Sequence, residues 1–221
     1  MVEAPLARRP YHSPRREQQA AATRRTILDA AGRLFRRDGY PATTMEAIAA
    51  EAGVSLKTAY LPFATKSGLL RALWDLQLKG DESDAPVAEH EWFRQVMEER
   101  DPVRKLQLNA RNSRVVKVRI GDMFKVIRGA AEIDSDCRAL WDLIHADFYA
   151  NQGVVVRSIH REGGLRSGLT VARATDTLWT LNHPDVWLLL TGERGWSPRT
   201  YERWLAQTSC EQLLPPSSQP A

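Results

Sequence analysis

The chain has 221 residues, 43% of them apolar and 26% charged, and its 31 Lys and Arg against 27 Asp and Glu give a net charge of +4. This composition is typical of a globular protein, and no apolar run approaches the ~20 residues of a membrane helix. The arginine-rich first 25 residues lack the apolar segment of a signal peptide, and Cys137 and Cys210 fit no zinc or redox spacing. We therefore expect a reduced, cytoplasmic protein without a membrane segment.

The charge is unevenly distributed along the chain. Residues 1–70 contain 11 Lys or Arg and 6 Asp or Glu, whereas the remaining 151 residues contain 20 and 21. Such an asymmetry suggests that the N-terminal part meets a polyanion. A solvated basic tail without a partner explains the charge equally well.

The predicted elements begin after a basic arm, residues 1–18, which contains three prolines and little apolar content and is predicted to be disordered. The apolar periodicity predicts a first helix over 19–38, ended by Gly39 and Pro41. A second helix starts at Thr43 or Thr44, where Thr43 and Glu46 form a capping box. The remaining helices of this half are predicted at 56–61, with Ser55 as the cap, and at 66–79.

Beyond a polar, breaker-rich linker at 80–86, the pattern stays helical and shows no convincing strand. The tail, residues 215–221, is predicted to be disordered. The helices predicted between them are 87–100, 102–117, 121–131, 136–161, 171–191 and 198–213. The fold class predicted is therefore all-α.

Residues 43–70 read as a helix-turn-helix, with a short helix, a tight turn at Gly53 and a second short helix. Ile48, Ala52 and Val54 are expected to form a small core with Ala59 of the second helix. The exposed face of the second helix then carries four residues whose short or basic side chains suit base edges in a major groove: Ser55, Leu56, Lys57 and Thr58.

Residues 20–79 resemble the DNA-binding domain of the TetR (tetracycline-repressor-like) family of transcriptional regulators. The features that carry this resemblance are Leu34-Phe35, Gly39-Tyr40, Thr43-Thr44, Ile48-Ala49, Ala52-Gly53-Val54-Ser55, Tyr60, Phe63, Lys66 and Leu69-Leu70. A weaker likeness extends over residues 192–205. So many fixed spacings over about 45 residues are more specific than a single short motif.

The resemblance implies a role in DNA binding for several of these side chains. Thr44, Tyr60 and Lys66 would contact phosphates. Leu56, Lys57 and Thr58 would lie against base edges, with guanine as the expected target of Lys57. Leu61-Pro62 departs from the family, which usually carries polar or aromatic residues there. The arginines at 8–16 either enter a minor groove, tether the chain to phosphates or have no ordered role.

The second half combines tryptophan, phenylalanine and methionine on helical segments, an inventory that forms either a ligand pocket or a packed core. The resemblance implies a pocket for a small apolar or aromatic ligand. Asn182 and His183 interrupt an apolar helix and are the main markers of such a pocket, because buried polar groups need partners. The complete set of candidate pocket residues is Trp92, Met123, Phe124, Ile127, Trp141, Phe148, Trp179, Asn182, His183 and Trp187.

The family also implies a homodimer, in which the last two helices form a four-helix bundle across a two-fold axis. The residues expected at that interface are Leu178, Leu181, Leu188, Trp204, Leu205 and Leu213. Two copies of the recognition helix would read a palindromic operator in double-stranded DNA.

The sequence therefore predicts an N-terminal three-helix DNA-binding domain, residues 19–80, followed by a helical ligand-binding and dimerisation domain, residues 81–214. The function predicted is a repressor that a small ligand releases from its operator, with the helix at 66–79 as the only rigid connection between the domains. A ligand-independent architectural protein is the alternative.

An all-helical enzyme or metal protein has little support in the sequence. The His90-Glu91 pair lacks the second histidine of a zinc-protease motif, and Asp142, His145 and Asp147 do not share one helix face. No catalytic residue, metal or cofactor is predicted.

Overall fold

The structure is a computed structural model that describes residues 14–80 and 90–216, and in these ranges it contains helices and no strand. The helices are α1 (Pro14–Ala42), α2 (Met45–Ala52), α3 (Leu56–Tyr60), α4 (Lys66–Lys79), α5 (Glu91–Glu98), α6 (Pro102–Ala130), α7 (Ser135–Arg161), α8 (Val171–Leu181), α9 (Pro184–Trp187) and α10 (Pro198–Leu213). A π-helical segment, Leu188–Glu193, continues α9. The predicted all-α class is confirmed, and none of these helices is long and apolar enough to cross a membrane.

The first helix is longer than predicted. It begins at Pro14, so residues 14–18 are helical rather than disordered, because proline is tolerated in a first helical turn and Glu17 there suits the helix dipole. The rest of the predicted arm, 1–13, lies outside the described residues. Gly39, at φ 78°, breaks the regular helix where the sequence predicted its end.

The cap of α2 is Thr44 rather than Thr43. The Thr44 hydroxyl accepts the N–H of Ala47 at 3.1 Å, which is the bond of an N-cap residue. Thr43 is buried instead, and its hydroxyl donates to the carbonyl of Gly39 at 2.7 Å. The capping box predicted for Thr43 and Glu46 is therefore wrong.

The predicted helices at 102–117 and 121–131 form one continuous helix, α6. Gly121 stays helical inside it, and an added Cβ there would lie 3.3 Å from Nε1 of Trp187. The glycine therefore permits a close approach of another helix and does not end its own.

The predicted helix at 171–191 is broken at Asn182. Helix α8 ends there, and α9 restarts at Pro184, where the Nδ1 atom of His183 accepts the N–H of Asp185 at 3.2 Å. Proline lacks the N–H that a continuous helix needs at this point. The helix predicted at 87–100 is also shorter than expected, and residues 81–89 lie outside the described residues.

One hydrophobic core joins the two predicted domains. Ile27 of α1 and Leu73 of α4 belong to the same buried cluster as Phe124 of α6 and Ile144 of α7. Helices α1 and α4 both pack on α6. Helix α4 is therefore not the only rigid connection between the two halves, and the boundary at residue 80 divides the sequence without dividing the core.

Two hydrogen bonds reinforce this junction. The hydroxyl of Tyr40 donates to Oδ2 of Asp134 at 2.7 Å, and the hydroxyl of Ser67 donates to Oδ2 of Asp136 at 3.1 Å. Both carboxylates lie at the start of α7. The Tyr40 hydrogen bond lowers the pKa of Asp134, an effect that burial of the carboxyl opposes.

Candidate DNA-binding surface and ligand site

Helices α2 and α3 form the predicted helix-turn-helix. Ile48, Ala49 and Ala59 are buried between them, and Val54 in the turn packs against the same core. Gly53 has φ 66°, a conformation that glycine adopts without strain, and its N–H reaches the carbonyls at the end of α2. The small core predicted for this motif is confirmed.

The exposed face of α3 presents Leu56, Lys57 and Tyr60 to solvent. Within the described part of the chain, the side chains of Lys57 and Tyr60 make no hydrogen bond. Ser55 and Thr58 are less available, because their hydroxyls bond each other at 2.7 Å and Ser55 also accepts the N–H of Thr58 at 3.1 Å. The exposed side chains of this face without a hydrogen bond of their own are therefore those of Leu56, Lys57 and Tyr60.

The turn after α3 carries an exposed leucine that the resemblance did not provide for. Leu61 is 82% exposed and lies next to the recognition helix. An exposed apolar side chain at this position can contact a thymine methyl group. The sequence signal was the departure from the family at Leu61-Pro62.

The side chain of Lys66, which was predicted to contact a phosphate, makes hydrogen bonds within the protein. Its ammonium donates to the carbonyls of Tyr40 and Thr43, each at 2.9 Å, and lies 4.1 Å from the centre of the Tyr40 ring. These bonds tie the start of α4 to the turn between α1 and α2. The structure therefore gives Lys66 a positioning role, and the phosphate contact stays a prediction.

The turn between α3 and α4 is tight. Ala64 has φ 60°, a left-handed conformation that is uncommon for alanine, and the N–H of Thr65 donates to Phe63 at 2.7 Å. A Cβ added at Gly68 would lie 2.3 Å from the Phe63 carbonyl oxygen. Only glycine at the first turn of α4 leaves room for this carbonyl, so Gly68 fixes the recognition helix relative to α4.

Five of the predicted pocket residues meet in one ring cluster with His145, which was not predicted as a pocket residue. The members of this ring cluster are Phe124, Trp141, His145, Phe148, Trp179 and His183. The ring centres of Trp141 and His145 are 4.2 Å apart, and those of Trp179 and His183 are 4.8 Å apart. The rings contact each other, so the structure shows this cluster packed.

The hydrogen bonds of the two histidines define their tautomers. Nδ1 of His145 donates to the carbonyl of Trp141 at 2.9 Å, because a carbonyl can only accept. Nδ1 of His183 accepts a backbone N–H, so its Nε2 carries the proton of the neutral ring. Burial lowers the pKa of His183; the carboxylate of Asp185 opposes this effect, and the neighbouring His145 and Lys117 reinforce it.

The other predicted pocket residues have different surroundings. Met123 and Ile127 are fully buried in the core. The ring of Trp92 contacts those of His90 and Phe93, and Trp187 packs edge-on against Tyr201 with ring centres 4.9 Å apart. A surface cavity of about 470 Å³ is lined by Val154, Arg157, His160, Arg161 and Val171, none of which was predicted.

Asn182 is the centre of a buried polar network. Its amide donates to Ser113 at 2.8 Å and to Gln152 at 3.2 Å, and its two oxygens accept from the ammonium of Lys117. The same ammonium donates to the hydroxyl of Tyr201 at 2.9 Å. Asn182 therefore finds its partners inside the protein, and burial raises the pKa of Tyr201.

Lys117 was missed by sequence reasoning, although a signal existed. It lies seven residues before Phe124, on the buried face of α6, where the apolar periodicity predicts a hydrophobic residue. Its side chain is only 4% exposed. A lysine in an apolar stripe is the pattern that could have indicated it.

Three of the residues expected at the dimer interface are buried within one chain. Leu178, Leu205 and Leu213 are at most 1% exposed, so they cannot meet a partner as expected. The side chains that remain accessible on these segments include Leu189, which is 50% exposed, and the partly buried pair Trp196 and Trp204.

Within the described residues, no group of three or more His, Cys, Asp or Glu side chains is arranged to hold a metal.

Known proteins similar to this chain include DNA-binding regulators. The family model described as bacterial regulatory proteins, tetR family, matches residues 27–73. The probable HTH-type transcriptional regulator ArpR of Pseudomonas putida is 29% identical over 184 residues, which cover 80% of this chain and 85% of ArpR. The chain therefore carries a TetR-family DNA-binding domain at residues 27–73. It is a DNA-binding transcriptional regulator, as the resemblance at residues 20–79 implied.

Solved structures share the fold of this chain over most of its length. NalD of Pseudomonas aeruginosa, the secondary repressor of the MexAB-OprM multidrug efflux pump, is 22% identical with a TM-score of 0.68, covering 89% of this chain and 99% of NalD. A transcriptional regulator from Saccharomonospora viridis in complex with choline is 19% identical with a TM-score of 0.69, covering 88% and 99%. At these identities the likeness establishes the fold.

Proposed function

We propose that this regulator is a homodimeric repressor that leaves a palindromic operator when a small aromatic or apolar ligand binds beside the ring cluster. The observation that carries the proposal is the position of Phe124. It is fully buried in the core that includes Leu73 and Trp74 of α4, and its ring also lies 4.8 Å from that of Trp141 in the ring cluster.

This position provides a direct route from ligand to DNA. A ligand that displaces the rings must move α6, because Phe124 is a residue of that helix. Helices α1 and α4 share its core, so a shift of α6 changes the orientation of α3 on the DNA. Packed cores respond to such displacements by switching between discrete arrangements. The ligand shifts the equilibrium only by its differential affinity for the two states.

The recognition surface consists of Lys57, Leu56 and Tyr60, with Thr44, Ser55 and Thr58 at its edge. Lys57 reads a base, Tyr60 donates its hydroxyl to a phosphate, and the N-terminus of α2 at Thr44 faces another phosphate. Lys66 is left out of this surface and holds the turn before α2. The two-fold axis of the dimer places two copies of α3 about 34–36 Å apart on the DNA.

We assign the dimer interface to the surface around Leu189, Trp196 and Trp204. These side chains are at least partly accessible in one chain and lie on the last two segments, where the resemblance implies dimerisation. Trp204→Glu places a charge in such an interface. The variant is expected to sediment as a monomer, while a charge at the exposed Leu143 of α7 leaves the dimer intact.

Selection from a random duplex library, followed by anisotropy titration across salt, tests the DNA-binding part. A palindrome with a salt slope of ~0.9 per contacted phosphate supports a dimeric, sequence-specific regulator. Binding without enrichment of any sequence contradicts it.

The packing of the rings against one another favours a second candidate, a regulator whose second half only dimerises. In that case, no small molecule changes the affinity for the selected operator. A screen of aromatic and apolar compounds against the protein–operator complex separates the two candidates, because the proposed repressor is released by at least one class.

A further inference from the structure

Lys117 is a buried lysine that lacks an anionic partner within the described residues. Its ammonium contacts only neutral acceptors, which are the two oxygens of Asn182 and the hydroxyl of Tyr201. Glu202, next to Tyr201 in sequence, pairs with Arg114. Burial lowers the pKa of Lys117 well below its usual range, since the charged form is desolvated without compensation.

A second buried lysine, Lys105, has a carboxylate partner and provides the comparison for Lys117. Lys105 is fully buried, and its ammonium lies 2.9 Å from the carboxylate of Glu162 and 2.6 Å from Ser158. Buried charges are ordinarily paired in this way. Lys117 is buried like Lys105 but has no carboxylate partner in the described structure. The group that it lacks is therefore an anion.

Asn182, which covers Lys117, lies at an irregular point of the helical chain. Asn182 stands at the break between α8 and α9, and the chain continues into the π-helical segment Leu188–Glu193. Such π-helical turns are rare and are frequent at functional sites. A small rotation of this segment withdraws both Asn182 oxygens from the ammonium.

The ring cluster and the ammonium are connected through neighbouring residues of the chain. His183 follows Asn182, and its ring contacts those of Phe124 and Trp179. Lys117 and Phe124 share a face of α6 seven residues apart, about 10 Å along the helix at 1.5 Å per residue. Nε1 of Trp179 is buried and has no hydrogen-bond partner in the described structure, which leaves a donor available to a ligand.

We propose that Lys117 binds the carboxylate of a small aromatic acid whose apolar body lies against the ring cluster. This inference rests on the proposed function and specifies its ligand. The carboxylate replaces the Asn182 oxygens on the ammonium and forms a charge-assisted hydrogen bond in a site of low polarity. Displacement of Asn182 moves the α8–α9 break, while the rings of the ligand displace Phe124 and with it α6.

Matched pairs of compounds test the charge requirement. Benzoate, 2-naphthoate and 4-phenylbenzoate are each titrated calorimetrically into the full-length protein beside their neutral amides, which have the same shape. At least one acid is expected to bind tenfold or more tightly than its amide. In Lys117→Met this preference disappears, whereas it persists in Lys125→Met, which removes an exposed lysine of the same helix. Lys117→Gln serves in place of Lys117→Met if the latter does not fold.

Equal affinity of every acid and its amide overturns the inference, as does a preference that survives in Lys117→Met or the absence of binding by all three acids. The same preparations are titrated with the selected operator. If the wild type without any acid does not bind the operator, the proposed function itself is contradicted. Intact operator binding without an acid preference contradicts only the ligand class.

Discussion

Lys57 and Lys66 lie at opposite ends of the recognition region and have different surroundings. The ammonium of Lys57 is exposed without a hydrogen bond in the described structure, while that of Lys66 is bonded to two carbonyls. Two lysines, both at positions that match the family's motif, therefore have different roles. One lysine is available to the operator, and the other fixes the turn that presents it.

Lys57→Ala is expected to weaken binding to the selected operator by about 1–3 kcal/mol, roughly 5- to 150-fold, because a base contact is lost. Binding to random duplex changes less. Anisotropy titrations on both duplexes measure the ratio, with Lys125→Ala as the control for a lost surface charge. An equal loss on the two duplexes would assign Lys57 to a phosphate instead.

Lys66→Met is expected to reduce the free energy of unfolding by about 1.5–3 kcal/mol, since two carbonyls lose a charged donor. Urea unfolding measures this loss, and Lys57→Met, which breaks no described hydrogen bond, leaves stability unchanged. If Lys66→Met keeps full stability and instead lowers the salt slope of operator binding by about one phosphate contact, the resemblance was right about this residue.

At the scale of elements, the junction between α3 and α4 depends on close backbone contact. Gly68 lies in a helical turn where a side chain would collide with the Phe63 carbonyl, whereas a Cβ added at Gly129 of α6 would meet nothing within 4 Å. The two helical glycines therefore respond oppositely to the same substitution.

Gly68→Ala is expected to lower the free energy of unfolding. Alanine gains ~1 kcal/mol over glycine in a helix, but the steric cost of the 2.3 Å contact is larger, because it forces α3 away from α4. Gly129→Ala is expected to raise stability by about 0.5–1 kcal/mol. Thermal unfolding of the two variants provides the comparison. A Gly68→Ala variant as stable as the wild type would show that this turn adjusts freely.

At the scale of the whole molecule, the DNA-binding half is attached through a shared core and through the bond from Tyr40 to Asp134. The lowered pKa of Asp134 means that its ionised form stabilises the folded protein. This contribution is complete above the ordinary carboxyl pKa of about 4 and is lost as the pH falls below it.

Tyr40→Phe is therefore expected to cost about 1–3 kcal/mol at pH 7, with the difference from wild type shrinking as the pH falls below about 4. Urea unfolding across pH measures this. Tyr149→Phe is the matched control, because its hydroxyl bonds the carboxylate of Asp176 at the exposed surface, where solvent competes. A Tyr40→Phe penalty that is independent of pH would exclude the carboxylate as its cause.

The DNA-binding motif could be predicted almost completely because its information is local. The turn glycine Gly53, the cap Ser55 and the bounds of α4 follow from spacings of a few residues. The cap of α2 was misplaced by one residue, since Thr43 and Thr44 are equivalent until packing buries one of them. The family could be identified for the same reason.

The candidate ligand site could be predicted only in part. Five of the aromatic residues predicted from the sequence do meet in the ring cluster, but the sequence did not distinguish them from Trp92 and Trp187. Helical periodicity predicts which face of a helix is buried, but it does not predict which helix packs against that face. Lys117 and His145 join the site through contacts between α6, α7 and the α8–α9 break.

The sequence by itself determined the all-α class, the helix-turn-helix and its resemblance to the TetR-family DNA-binding domain, because caps, turn glycines and apolar spacing act within one or two helical turns. Only the tertiary structure decided that Lys66 bonds carbonyls, that Leu178 and Leu205 are core, and that Lys117 is buried without a counter-ion. Each of these depends on which helix packs against the residue, and the hydrogen-bond partners lie 23 to 84 residues apart in sequence. Burial and pairing therefore depend on both partners and cannot be assigned from one segment alone.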